Sequence, residues 1–311
     1  MLDIVVVNWN AGTQLQECVH SILAHEDNCV QSIVIVDNGS VDKSADVVES
    51  LSKVEVIRAG ENLGFAAACN LGVKQSWFPY VLFLNPDTRI NRDSLSIPLE
   101  YMTRPENANV GICGIQLHDE HGQVSRSSAR FPTLGRFISG VLGLEKFPGL
   151  NKTGVLMSDW GHDHTRQVDH VMGAFFMIRR EVFEALGGFD ERFFVYLEDL
   201  DLSFRAHKAG WKSMYLAEAQ AYHAGGGTSR QVKAHRLFYS LRSRLLYGFK
   251  HFPRWQAWVL VGMTGVIEPF TRTAWCLARG DWAGVRHTWQ AYRMLWGGMG
   301  RILRGDGRFV P

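Results

Sequence analysis

Long apolar runs are missing from this 311-residue chain. The longest charge-free stretch in its hydrophobic C-terminal part runs from Trp255 to Ile267, short of the ~20 residues a spanning helix needs. No transmembrane helix is therefore expected. A basic N-terminal region is also missing, and a strand-like run, Ile4 to Val7, begins at once. No secretory signal peptide is expected. Cysteine is scarce: Cys18, Cys29, Cys69, Cys113 and Cys276 form no CxxC pair. That argues against a disulfide framework or structural zinc and for a reducing, cytosolic setting. No G-x-G-x-x-G or Walker motif follows the first strand-like run, which disfavours dinucleotide oxidoreductases and P-loop enzymes. With 46% hydrophobic and 21% charged residues, disorder and collagen are excluded. The length allows one large domain or two modest ones.

What is there is alternation. Ile4–Val7 reads as a buried parallel strand. Leu15, Cys18, Val19, Ile22 and Leu23 then recur on one helical face. Ile33 to Val36 is a second strand, stopped by the turn cluster Asp37-Asn38-Gly39-Ser40. Ser40 is placed to cap a helix whose face holds Val41, Ala45, Val48 and Leu51. Val54 to Ile57, a helix over 65–75 and the strand Val81 to Leu84 complete β-α-β-α-β-α-β. A parallel sheet with helices on both faces follows. Further on, Val110 to Leu117 predicts a strand with a hairpin turn over 119–122, and residues 125–165 read as irregular. Val171 to Ile178 predicts one strand, Arg180 to Leu186 a short helix, Glu198 to Ala209 a helix and Lys212 to Leu216 a strand. After Gly225-Gly226-Gly227 the pattern is helical.

Charge divides the chain. Residues 231–311 carry 13 Lys+Arg and 3 Asp+Glu, whereas the preceding 230 residues carry 20 and 28. The basic part also holds Trp255, Trp258, Trp275, Trp282, Trp289 and Trp296. Trp with Arg on helices suits a membrane interface, although a packed helical core would use the same tryptophans. No nucleic-acid-binding module is recognisable, so none is expected as a partner.

In open α/β sheets ligands bind beyond the carboxyl ends of the strands. Asn8 and Asn10, Asp37 with Asn38, Asn62 with Asn70, and Asp87 fall there. Asp37 can accept from a base or ribose, or serve as an ordinary turn carboxylate. Asp87, after Asn85-Pro86, can bind a hard divalent cation that also holds a diphosphate, or cap the next segment. Glu198, Asp199 and Asp201 put three carboxylates at a helix start, where the macrodipole alone would favour them. Asp201 and Arg205 are spaced for an i, i+4 ion pair. Glu198 and Asp199 follow the aromatic run Phe193-Phe194-Val195-Tyr196, and such surroundings suit a general base. His223 is either a metal ligand or a satisfied surface histidine.

Taken in order, Val5-Val6-Val7-Asn8-Trp9-Asn10, Val36-Asp37-Asn38-Gly39-Ser40, Glu61-Asn62-Leu63-Gly64-Phe65-Ala66-Ala67-Ala68-Cys69-Asn70 and Leu84-Asn85-Pro86-Asp87 resemble a family 2 glycosyltransferase of the GT-A fold. Met172-Gly173-Ala174-Phe175-Phe176, Gly188-Phe189-Asp190-Glu191 and Glu198-Asp199-Leu200-Asp201-Leu202 continue the resemblance, which spans about 3–250. The subgroup it resembles is that of rhamnosyltransferase-like enzymes of bacterial cell-wall and O-antigen assembly. The resemblance implies an α/β, mostly parallel sheet in a catalytic domain over 1–230, with a nucleotide-binding half (1–110) and an acceptor half (111–230). Residues 231–311 would form a basic, Trp-rich, membrane-associating helical extension.

It also implies roles. Asn8, Asn10, Asp37, Asn62, Gly64, Asn70 and Asn85 would bind the nucleotide and donor sugar. Asp87 and His223 would hold a divalent cation, Mg²⁺ or Mn²⁺, with Asn85 standing where the family's metal motif has its first Asp. Asp199 would be the catalytic base, and Gly173, Glu198 and Asp201 would lie on the acceptor side. The implied activity is inverting transfer of a sugar from a nucleotide-diphosphate donor to a saccharide hydroxyl. dTDP-rhamnose is the first expectation for the donor and a UDP-sugar the second. The acceptor would be lipid-linked and the enzyme peripheral on the cytoplasmic face of an anionic membrane, with a homodimer left open. A non-catalytic sugar-nucleotide or glycan-binding scaffold is the alternative. A nucleotidyltransferase is disfavoured, because Ala11-Gly12-Thr13-Gln14 offers no basic nucleotide loop.

Overall fold

The computed structural model describes residues 1–25, 28–225 and 233–304. Two compact units share them: one takes 1–130, 160–190 and 199–228, the other 131–159, 191–198 and 229–311. Residues 131–159 and 191–198, expected within a 1–230 domain, thus group with the C-terminal helices. Gly226 and Gly227 of the glycine run, and the first and last residues of the 231–311 segment, lie outside the described residues.

The first unit contains β1 (Leu2–Asn8), α1 (Thr13–His25), β2 (Val30–Asp37), β3 (Val54–Arg58), α2 (Phe65–Val73), β4 (Tyr80–Leu84), β5 (Thr88–Ile90), α3 (Ser96–Thr103), β6 (Val110–His118) and β7 (Ser128–Ala129). Helix α4 (Leu134–Leu142) belongs to the second unit. The first resumes with β8 (Arg166–Val168), β9 (His170–Val171), β10 (Phe175–Arg179), α5 (Arg180–Ala185), α6 (Glu198–Lys208) and β11 (Lys212–His223). One sheet runs β3-β2-β1-β4-β10-β6-β11-β5, with β8 paired to β11. Its β3-β2-β1-β4 half is parallel, as the β-branched runs imply, and β10 enters antiparallel beside β4. Every residue of β1 and β4 is buried, which is why both read as continuous apolar runs. Helix α1 buries Leu15, Cys18, Val19 and Ile22, the face expected from their spacing.

Three expectations are corrected. Residues 41–51 form turns, not a helix. Asp42 accepts from the Ser44 N–H and hydroxyl at 3.0 and 2.7 Å and from the Gly12 N–H at 2.8 Å, local bonds that compete with a helical ladder. The Ser40 hydroxyl accordingly faces Asn8 and Asn10 rather than capping a helix. The single strand over 171–178 is broken at Met172–Ala174 into β9, which pairs β7, and β10. The irregular stretch 125–165 contains α4, capped by Thr133 accepting from the Arg136 N–H and ended by left-handed Gly143.

The second unit is helical: α4 with α7 (Lys233–His251), α8 (Arg254–Gly262), a π-helical turn over Met263–Ile267, α9 (Glu268–Leu277) and α10 (Trp282–Leu303). Phe238, Leu241, Leu245, Tyr247, Leu260, Tyr292 and Leu295 form its interior. Buried Glu268 joins it by accepting from Arg244 and, through both Nε and Nη2, from Arg272. Among the described residues no helix is long and apolar enough to cross a membrane.

Candidate active site

The parallel strands β1, β2 and β4 end in Asn8, Asp37 and the Asn85-Pro86-Asp87 turn, which places these polar groups at carboxyl ends. Asn8 is buried, and its Nδ2 lies 3.1 Å from Asp37 Oδ1, 3.1 Å from Ser40 Oγ and 2.9 Å from Ser44 Oγ. Asn10, in a left-handed conformation that asparagine tolerates, donates its N–H to Ser40 Oγ and accepts the Val41 N–H at 2.8 Å. Asn8, Asn10 and Asp37 are thus one connected group, extended by Ser40 and Ser44.

Asn38 binds the next loop to this group. Its Nδ2 donates to Asn62 Oδ1 at 3.0 Å, and its Oδ1 accepts the Leu63 N–H at 2.8 Å. Asn62 Oδ1 also accepts the Gly64 N–H at 3.0 Å. Gly39 is required here: its φ is +76°, and a Cβ would sit 2.8 Å from the Glu61 carbonyl carbon. Asn70 faces elsewhere. Its amide exchanges two 2.9 Å hydrogen bonds with the Phe189 backbone, and Phe189 packs on Phe83 at 4.8 Å. The amide therefore holds the Gly188-Phe189 turn rather than closing over a donor.

Asn85 shapes the β4 exit, its N–H donating to the Ala174 carbonyl and its carbonyl accepting the Thr88 N–H, both at 3.1 Å. β5 pairs antiparallel with β11, setting His223 opposite Thr88. That register brings His223 Nε2 within 3.3 Å of Asp87 Oδ1, both side chains nearly buried. Among the described residues no three His, Cys, Asp or Glu side chains cluster as a cation site. The Asp87–His223 pair still fits a divalent ion that completes its shell with phosphate and water, because neighbouring ligands of an octahedral ion at ~2.1 Å lie ~3.0 Å apart.

Asp199 stands at the start of α6. Its Oδ1 accepts the Leu200 N–H and its Oδ2 the Gly173 N–H, each at 2.8 Å. The break between β9 and β10 is what points Gly173 at it. A Cβ on Gly173 would lie 2.9 Å from Asp199 Oδ2, so only glycine leaves the carboxylate in place. His170 Nε2 approaches the same oxygen at 3.6 Å. Glu198, the one residue of α6 that groups with the second unit, is buried. Asp201 is fully buried and accepts from Arg205 Nε at 2.8 Å, while Arg205 also donates to the Leu186 and Gly188 carbonyls. The expected i, i+4 pair is present, and its burial takes Asp201 out of the acceptor-side group.

Sequence reasoning placed Asn38 beside Asp37 at the strand end but gave it no role of its own, and it missed two further features. His170 and Ser203 carry no local motif that joins them to Asp199. Tyr196 and Leu197, just before α6, both adopt left-handed conformations with φ of 69° and 67°, a cost of about 1–2 kcal/mol per residue.

Comparison with known proteins identifies the family. Residues 3–187 match the profile of "Glycosyl transferase family 2". The N-acetylglucosaminyl-diphospho-decaprenol L-rhamnosyltransferase of Mycobacterium tuberculosis is 29% identical over 279 residues, 84% of this chain and 90% of its own. Rhamnosyltransferase WbbL of Escherichia coli K12 is 26% identical over 255 residues, 79% and 92% of the two chains. The mannosyltransferase PcManGT of Pyrobaculum calidifontis, solved with GDP-Man and Mn2+, shares the fold with a TM-score of 0.54 at 16% identity, over 98% of this chain and 85% of that one. The fold is therefore GT-A, and the chain belongs to glycosyl transferase family 2 as a rhamnosyltransferase-like glycosyltransferase.

Proposed function

We propose that this glycosyltransferase moves L-rhamnose from dTDP-rhamnose, with inversion, to a hydroxyl of a lipid-linked saccharide. The observation that carries this reading is the Asp199 carboxylate, fixed by two backbone N–H groups yet still partly open. A base held so firmly loses little freedom when it takes the acceptor's proton, and it serves a single in-line displacement with no covalent intermediate. Asp37, with Asn8 and the serines behind it, offers acceptors to the base of the nucleotide. The loop braced by Asn38, Asn62 and Gly64 would cover the next part of the donor.

Asp87 and His223 would hold a divalent cation, which when bound offsets negative charge on the departing diphosphate. Asn85 sets the turn that presents Asp87. The relatives support the sugar and the acceptor: two are named as rhamnosyltransferases, one of them for a diphospho-decaprenol substrate.

The second unit supports a peripheral place on the cytoplasmic face of an anionic membrane. Trp255, Trp258, Phe270 and Trp282 are each more than half exposed there, beside an excess of ten positive charges over 231–311. Each basic residue near such a surface contributes ~1 kcal/mol.

The test is donor binding by calorimetry, with and without Mn²⁺ or Mg²⁺, across dTDP-rhamnose, UDP-GlcNAc, UDP-glucose, UDP-galactose and GDP-mannose. Metal-enhanced binding of dTDP-rhamnose is expected. Preference for another donor would replace the sugar assignment, and no binding to any would count against transfer itself.

A further inference from the structure

Helices α8 and α9 are one rod. Gly262, Met263, Ile267 and Glu268, which bracket the π-helical turn, all hold right-handed helical angles. The chain therefore runs without a break over 254–277, about 36 Å at the usual helical rise. The polarity of this rod is the reverse of what a surface helix shows in water. Thr264 and Glu268, one turn apart, are both buried. Glu268 accepts from Arg244 and Arg272, and Trp296 Nε1 donates to the Gly265 carbonyl at 3.0 Å. On the outer side Trp255, Val259, Gly262, Val266, Phe270 and Ala274 follow at intervals of three or four residues, and each is exposed. Val266 is 60% exposed and Phe270 63%. Arg254, at the first position, is the one exposed charged residue of the rod.

A protein that meets only water rarely leaves so long an apolar stripe uncovered. Burying a carboxylate and exposing a phenyl ring are both unfavourable there. Hydrocarbon against the outer side makes the same arrangement favourable. The edges of the stripe are cationic. Lys146 Nζ lies 4.4 Å and Arg279 Cζ 4.2 Å from the centre of the Trp275 ring, and Arg254 opens the rod. Such side chains keep their stems on apolar surface while their charged ends reach phosphate, and tryptophan sits at headgroup level.

We propose that the α8–α9 rod lies flat in the surface of an anionic bilayer, its stripe sunk among the upper acyl chains and Arg254, Lys146 and Arg279 at the phosphates. This rests on the membrane reading of the second unit given above. It adds that the hold is insertion by one rod rather than attraction by basic residues alone. Buried Thr264 and Glu268 keep the rod in the plane of the membrane, as for other one-sided helices. The cations select the occupant: an anionic lipid surface complements them, whereas a second copy of this chain would bring the same cations against them.

The test is sedimentation of the full chain with vesicles of phosphatidylglycerol and phosphatidylcholine. Wild type should bind, and high salt should weaken the binding without abolishing it, because salt screens charge and not apolar insertion. V266D/F270D should lower the partition coefficient at least about tenfold with an unchanged melting temperature. Variant binding equal to wild type overturns the inference and leaves the membrane reading standing. Complete loss of wild-type binding in salt overturns insertion and leaves attraction by charge. No wild-type binding at any salt defeats both readings. A lipid-free dimer that V266D/F270D dissociates makes a second copy the occupant and also overturns the inference. Should the aspartates prevent folding, W255F/W258F decides, since it keeps the stripe apolar. Quenching of tryptophan emission by lipid brominated in its acyl chains should fall by more than half in that variant, and undiminished quenching places the contact elsewhere and overturns the inference.

Discussion

Asp199 and Gly173 form a matched pair. The glycine N–H fixes the carboxylate, and the absent side chain leaves room for it. Asp199→Asn should lower turnover by ~10²–10⁴-fold, the usual weight of a general base, while calorimetric donor affinity survives. Wild-type-like turnover would remove Asp199 from the role. Gly173→Ala should likewise depress kcat more than donor affinity, since its Cβ would displace Asp199 Oδ2. Asp87→Ala should act on the other quantity, abolishing the gain in donor affinity on adding Mn²⁺. At this scale the sequence was informative where a residue acts through its neighbours in the chain. Asp37, Asp87 and Asp199 each end a strand run or start a helix, so their places were legible. Asn70 was not: its partner Phe189 lies in a different motif, and only the folded chain shows that its amide is used on backbone.

Elements were legible where burial follows a single pattern. β1 and β4 read as apolar runs because they are buried throughout, and α1 reads by the spacing of the four residues it buries. The turns over 41–51 were misread because Ala45 and Val48 are buried at helical spacing, while Asp42 and Ser44 direct the backbone elsewhere. Helix α4 was missed among scattered Gly and Pro, although Thr133 and Gly143 mark both its ends. The Asp201–Arg205 pair on α6 ties that helix to the Leu186 and Gly188 carbonyls. Removing one partner leaves a buried charge, so Arg205→Ala should destabilise the fold by ~3–5 kcal/mol, measured by urea denaturation. Loss of less than ~1 kcal/mol would show that the pair is dispensable.

For the whole molecule, acid should be the destabilising direction. Burial is the first cause of the lowered values at His162 and His170, so the unfolded chain binds protons there that the folded chain does not. Stability is then lost as pH falls through the unfolded histidine value of ~6.5, and Tm should drop between pH 7 and pH 5. A Tm that rises over that interval would contradict this. All five cysteines are thiols, and Cys18, Cys69 and Cys113 are buried, so a native thiol titration should read no more than two groups promptly. Co-sedimentation with anionic liposomes, weakened by salt, is the expected behaviour of the basic tryptophan-rich unit, and failure to co-sediment would withdraw the membrane assignment. The Asp87–His223 contact has one more consequence. It exists only when β5 has found β11, a pairing between segments more than a hundred residues apart, and such distant closures are slow. A ligand that bridges the two side chains therefore binds only chains in which this late step is complete. It would stabilise them by mass action, so if the pair holds Mn²⁺ as proposed, the rate at which Mn²⁺ binding capacity returns during refolding would be a clock for closure of the sheet edge.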